Sequence, residues 1–144
     1  MGKGFTMKTL VIYYSYTGRT KTLAAEIAKQ ESADLIEVCE RKRRSVPSAY
    51  VLGSFAAMRR KEAKLQPFAC DFSAYDKIII AMPIWAGYPA PPMNNILHAL
   101  PGGKNVELVM TSGSGSSIRS AEKTKTLIAD KGCTLTGYRD VKTS

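Results

Sequence analysis

An α/β fold built on a parallel sheet is what this sequence predicts, and three observations predict it. Apolar runs alternate with stretches of helical periodicity along the whole chain. One run, Lys77-Ile78-Ile79-Ile80-Ala81-Met82, is nearly continuous, as a strand covered on both faces requires. Three loops rich in hydroxyls, glycine or proline follow the first, third and fourth predicted strands, so a parallel sheet gathers them at one end.

Each element has its own signal. Leu10-Val11-Ile12-Tyr13-Tyr14 is a buried strand, and in residues 22–29 Leu23, Ala24, Ile27 and Ala28 recur at helical spacing. Residues 34–39 read as a short second strand. Residues 49–64 are predicted helical, with Tyr50, Leu52 and Met58 on the buried side and Pro67 beyond the end. The strand at 77–82 runs into a proline-rich loop, 83–92, and then a short helix at 93–100 stopped by Pro101-Gly102-Gly103. Residues 106–110 are the fourth strand. The loop 111–117 leads into a helix ending near Lys131, and 135–141 is the fifth strand. No repeat or linker divides residues 1–144, so a single domain is expected. Met7 directly precedes the strand pattern and reads as the native start, which makes 1–6 an extension.

Composition narrows the function classes. With 44% hydrophobic residues in 144, the chain suits one core. No apolar run approaches the roughly 20 residues of a membrane helix, and the residues before Met7 are too few for a secretory signal; the cytoplasm is the expected compartment. Cys39, Cys70 and Cys133 are odd in number, far apart and without a CxxC, which argues for reduced thiols rather than a disulfide or a metal site. Cys133 and Arg139 match the CxxxxxR spacing of phosphotyrosine phosphatases. They fall on a strand near the end of the sequence rather than at a phosphate loop, so the match reads as coincidence. His98, the sole histidine, falls on the short third helix and receives no acid–base role.

The net charge of +9 is concentrated. Arg41, Lys42, Arg43, Arg44, Arg59, Arg60, Lys61 and Lys64 face a single acid, Glu62, within 41–64. Such a segment is either a solvated helix face or an attractor for an acidic protein, anionic lipid or nucleic acid. Nucleic acid is disfavoured, because no aromatic residue interleaves with the arginines as a stacking platform.

The loops carry the chemistry. Ser15-Tyr16-Thr17-Gly18-Arg19-Thr20 links a strand to a helix N-terminus, where free N–H groups and a partial positive charge favour an anion. Gly18 lets the backbone come close, and the hydroxyls of Ser15, Thr17 and Thr20 either donate to a phosphate or cap the helix. Arg19 either screens the phosphate or is solvated. Pro83-Ile84-Trp85-Ala86-Gly87 holds the only tryptophan, placed to cover a flat ligand or to pack on the protein. Thr111-Ser112-Gly113-Ser114-Gly115 offers backbone N–H groups and little bulk, so a ring edge can approach. No GxxxxGK or GxGxxG accompanies them, which removes the usual nucleotide-hydrolysis and dinucleotide patterns.

With all three loops in order, the chain from about Met7 to Val141 resembles a flavodoxin. Ser15–Thr20 are similar to that family's FMN phosphate loop, Pro83–Gly87 to its first ring-contacting loop and Thr111–Gly115 to its second. The resemblance implies a doubly wound five-stranded parallel sheet in order 2-1-3-4-5 and noncovalent FMN. It also implies electron transfer with a redox partner protein, or NAD(P)H-dependent reduction of a small acceptor such as a quinone. Three departures qualify it. The chain is basic where carrier flavodoxins are acidic, so its reduced flavin is expected to be less destabilised and a weaker reductant. The second loop lacks an aromatic residue, so Trp85 is expected to stack on one ring face and leave the other open. The family's last helix has no counterpart after Val141, so an exposed apolar face beside Leu23 and Ile27 is expected, with a homodimer, an exchanged element, or an incomplete or truncated gene product as its explanation. A flavodoxin-fold interaction module without productive FMN binding is the alternative, and a phosphate-chemistry enzyme the remaining one.

Overall fold

The computed structural model describes residues 8–43, 45–68 and 70–143; the extension read at 1–6, Arg44 and the side chain of Tyr50 lie outside that description. The order is β1 (Thr9–Tyr13), α1 (Arg19–Glu31), β2 (Asp34–Glu37), α2 (Val46–Ser48), a π-helical turn (Ala49–Gly53), α3 (Ser54–Met58), a 3-10 turn (Phe72–Ala74), β3 (Lys77–Trp85), β4 (Tyr88–Pro89), α4 (Pro92–Ala99), β5 (Asn105–Ser112), α5 (Ala121–Asp130) and β6 (Thr134–Lys142). The strands β2-β1-β3-β5-β6 pair in parallel, and β4 pairs antiparallel with the end of β3. This is the expected 2-1-3-4-5 sheet with one short hairpin strand added.

Both faces of β1 and β3 are buried, which is why their sequences are apolar without alternation. Leu10, Ile12, Ile78, Ile80, Leu108 and Met110 pack under α4 and α5 against Met93, Ile96 and Ile128. Val11, Tyr13, Ile79, Ala81 and Val109 pack on the other face against Ala24, Ile27 and Ala28 of α1. Full burial of each large aliphatic side chain contributes about 1.5–3 kcal/mol. No helix among the described residues is long and apolar enough to cross a membrane.

The expected exposed apolar face beside α1 is corrected by the structure. Lys77 lies 3.7 Å from Glu31 and 3.4 Å from Glu107, and Arg139 lies 3.5 Å from Glu107. Glu107 lies flat across Gly137, where a Cβ would stand 3.2 Å from its Cγ. Val109 is fully buried there and Val141 partly so. Charged side chains occupy much of this face, beside the half-buried Leu23 and Val141.

The second correction concerns the predicted helix at 49–64. Helical structure covers Val46–Met58, and the chain then turns at Arg60, whose φ of 52° is left-handed. Leu52 and Met58, expected inside, are exposed, whereas Gly53 and Ala57 face inward. Small residues win the inner face because the helix lies close against the β3–β4 hairpin. The sequence reads that hairpin as part of the proline-rich loop 83–92. Its two turn residues, Ala86 (φ 53°) and Gly87 (φ 89°), adopt the left-handed pair a two-residue hairpin needs, and an alanine at the first position hides the signal.

Cys133 and Arg139 are not a catalytic pair. Cys133 is buried at the amino end of β6, with its Sγ 3.2 Å from the Pro101 carbonyl, and Arg139 is on the charged face. His98 is exposed and lies 3.1 Å from Glu62.

Candidate functional site

The loops after β1, β3 and β5 meet at the carboxyl end of the sheet, joined by the end of β6 through the Thr143 N–H, which donates to the Ser112 carbonyl at 2.8 Å. Between them lies a cleft in two parts. A narrow part of about 130 Å³ lies between Thr17, Arg19 and Thr20 on one side and Pro83, Trp85 and Thr111 on the other. A wide part of about 460 Å³ lies between Ala86 and Gly87 and the run from Ser112 to Arg119. Ile84 and Ser112 line both, so the parts adjoin. Among the described residues, no carboxylate lines either part.

At the narrow end, Gly18 has φ +98° and a Cβ placed on it would meet nothing within 4 Å, so the loop leaves open space at its tightest point. Ser15 Oγ accepts the Gly18 N–H at 3.0 Å, and Thr17 Oγ1 accepts the Arg19 N–H at 3.4 Å. The first intrahelical bond runs from the Thr22 N–H to the Gly18 carbonyl at 3.1 Å. Of the four N–H groups a helix start leaves without an intrahelical partner, two are thus held by the loop's own hydroxyls, and those of Thr20 and Lys21 follow. Accepting uses a lone pair only, so the Ser15 and Thr17 hydroxyls keep their protons for donation. Thr20 is different. Its buried hydroxyl lies 2.8 Å from that of Thr111 and ties the start of α1 to β5.

Trp85, the last residue of β3, is braced edge-on by Tyr14 and Tyr16, at centroid distances of 6.0 and 5.9 Å. It lines the narrow part, and Ile84, Ala86 and Gly87 line the wide one. Arg43 stacks on Tyr16 with its guanidinium 4.1 Å from the ring centre and donates to the Tyr16 carbonyl at 3.3 Å.

The wide end rests on contacts between segments far apart in sequence. The Ser120 hydroxyl donates to the Gly87 carbonyl at 2.6 Å, and Arg119 lies over Gly87, where a Cβ would stand 2.9 Å from its Cδ. Ser117 is buried. Its hydroxyl donates to Asp140 Oδ1 at 2.6 Å and so accepts from Tyr138. Burial pushes the Tyr138 hydroxyl above its usual pKa, with Asp140 adding to the rise, which keeps it a neutral donor. A β-bulge at Thr136 makes this possible: Val106 pairs with Leu135 but Glu107 with Gly137, so Leu135 and Tyr138 face the same core despite opposite parity.

Thirteen of the sixteen residues singled out in the sequence line the cleft. Ser15, Gly18 and Gly115 do not: Ser15 borders a separate cavity beside Cys39 and Arg43, Gly18 shapes the loop, and Gly115 (φ +76°) packs towards Lys142. Ser117, Arg119, Tyr138 and Asp140 were not singled out in the sequence, and Arg43 was named only within the basic segment; of the four, Ser117 carries a signal, as the end of the serine run.

A five-stranded parallel sheet in this order, with its cleft at the carboxyl ends of β1, β3 and β5, defines a flavodoxin-like α/β protein. No protein-family profile and no curated protein matches the sequence. Among solved structures the chain is similar to a flavoprotein from Lactobacillus acidophilus NCFM in complex with FMN, with 26% identity, 94% of each chain covered and a TM-score of 0.77. It is similar to the apo form of the flavoprotein from that organism as well, with 26% identity over 96% of this chain and 95% of that one and a TM-score of 0.71. A flavodoxin from Streptococcus pneumoniae TIGR4 shares the fold, with 14% identity over 94% of this chain and 85% of that one and a TM-score of 0.57.

Proposed function

We propose that this chain binds FMN noncovalently in the two-part cleft and serves as a redox protein, an electron carrier or a small flavin-dependent reductase. The observation that carries the reading is the asymmetry of the cleft. Its narrow end offers hydroxyl protons, helix N–H groups and Arg19 with no opposing carboxylate, which suits a phosphate. Its wide end has a volume in the range of a ring-binding pocket and walls mostly of glycine, alanine and serine, with Ile84, Ile118 and Arg119 among them. Likeness to a flavoprotein solved with FMN supports the same reading.

When bound, FMN supplies one- and two-electron chemistry. In this assignment Thr17 and the Thr20 and Lys21 N–H groups hold the phosphate, and Ser15 shapes the loop by accepting from Gly18. Thr20 holds the loop on β5 through Thr111. Trp85, braced by its two tyrosines, walls the narrow part, and Ile84, Ala86 and Gly87 next to it wall one side of the wide part. The Ser112–Ser117 run has no aromatic side chain and leaves the other side open to a nicotinamide or a small acceptor. Arg119 brings positive charge to the ring loops, which favours an anionic reduced flavin and makes it a weaker reductant than that of an acidic carrier.

Titrating the purified protein with FMN tests this directly. A saturable one-to-one complex with quenched flavin fluorescence is expected, and the lack of saturable binding would overturn the reading in favour of an interaction module. NAD(P)H oxidation by the loaded protein with no added reductase then separates enzyme from carrier.

A further inference from the structure

Among the described side chains of the helical segment at 46–58, Gly53 and Ala57 are buried, while Val51, Leu52, Phe55 and Met58 are 45–63% exposed. At spacings of one, three and four they form a single outward stripe. A π-helical turn, a local irregularity common at functional sites, lies in the same segment. Arg59 follows the stripe with its guanidinium 4.4 Å over the Phe55 ring, and the exposed Lys61 and Lys64 come next. The local acids are engaged elsewhere, Glu62 with His98 and Glu40 with the Tyr14 hydroxyl.

This surface adjoins the cleft. Arg60 donates to Thr124 Oγ1 at 3.2 Å and to the Ser120 carbonyl at 3.3 Å, and its guanidinium is 5.6 Å from the ring centre of Tyr88 in β4. The Ser120 hydroxyl in turn holds Gly87 on the wall of the wide cavity.

We propose that the outward face of residues 51–61 docks an acidic redox protein, apolar side chains meeting at the centre and carboxylates of the partner meeting Arg59 and Lys61 at the rim. This rests on the redox reading above. Charge complementarity selects the occupant. A second copy of this chain would set the same cations against each other, and a lipid surface holds no electron to exchange. In the docked pair one electron passes from the reduced partner to the flavin, leaving the partner oxidised by one electron, and docking itself moves no proton.

The test uses an acidic plant-type [2Fe–2S] ferredoxin as probe. Amide spectra of the isotope-labelled protein, recorded with and without FMN, should shift at 51–61 on titration and lose the effect at high salt. Phe55→Ser and the double variant Arg59→Glu/Lys61→Glu should each weaken association and the rate of flavin reduction by reduced ferredoxin at least tenfold, with the melting temperature, FMN affinity and reduction by dithionite unchanged. Shifts in the apo protein without FMN binding would overturn the flavin reading and leave the docking surface standing. No shifts at 51–61, or variants that shift as wild type does, would overturn the docking proposal. Co-sedimentation with phosphatidylserine vesicles that these variants abolish, while the ferredoxin rate is untouched, would overturn it in favour of a membrane surface.

Discussion

At the narrow end of the cleft, six consecutive residues supply the loop, the helix start and most of the polar groups, and they are held largely by bonds within the loop. At the wide end, the walls come from the β3–β4 hairpin and the Ser112–Arg119 run, supported from β6 by Tyr138 and Asp140. One end is local and the other is assembled. On the proposed assignment, a change at the local end should act on phosphate binding, whereas a change at the assembled end should act on stability, ring placement and potential.

The largest effect is expected from Thr17→Glu. It sets a carboxylate where a phosphate would lie, and repulsion at short range costs several kcal/mol at an effective dielectric of about 20. FMN affinity should fall by about a hundredfold or more, while binding of riboflavin, which lacks the phosphate, should change little. Equal losses for both ligands, measured by fluorescence titration, would break the division between the two ends.

Asp140→Ala is the counterpart at the assembled end. It leaves the buried Ser117 hydroxyl without its acceptor, and a buried polar group so orphaned costs about 1–3 kcal/mol. A lower denaturant midpoint is expected, with FMN and riboflavin affinities falling by similar factors. A loss confined to FMN would show that the anchor serves the phosphate end instead.

The same contrast explains what the sequence disclosed. Ser15 to Thr20 were readable because strand, glycine, hydroxyls and helix start sit side by side, and the run at 77–82 was readable because two-sided burial leaves a continuous apolar record. Tyr138 and Asp140 were not, because their direction depends on a bulge at Thr136 that parity alone cannot foresee. The charged cover on the α1 face was hidden likewise: Lys77, Glu107 and Arg139 come from three strands and meet only through sheet register. The helix at 46–58 misled for a different reason. Its bulky apolar residues suggest a core, but the structure turns Leu52, Phe55 and Met58 outward and packs Gly53 and Ala57.

A smaller effect is expected from Arg119→Glu. The residue is exposed, so solvent weakens its field. Replacing the cation with an anion should lower the potential of the fully reduced flavin by about 30–60 mV, equivalent to a threefold to tenfold change in a one-electron equilibrium. FMN affinity in the oxidised state should barely move. Potentiometry showing no shift would place Arg119 as a cover for Gly87 and nothing more.

The smallest effect appears only at alkaline pH, and again there is one group under each end. Burial and the nearby Glu37 push the Tyr13 hydroxyl, beneath the narrow end, up to about 12, and burial raises Tyr138 beneath the wide end. Both shifts favour the neutral phenol in the folded state. The stability they represent is therefore complete below the unfolded value near 10 and is lost as pH rises through the folded value. Denaturant unfolding between pH 10 and 12 should show stability falling with pH in the wild type and falling less steeply in Tyr13→Phe. Tyr138→Phe should also flatten the curve, but at a cost present at every pH, because it removes the hydroxyl that donates to Ser117. If instead Tyr13→Phe carried the pH-independent cost and Tyr138→Phe did not, the structural anchor would lie under the narrow end, and the contrast between a self-contained narrow end and an assembled wide end would be reversed.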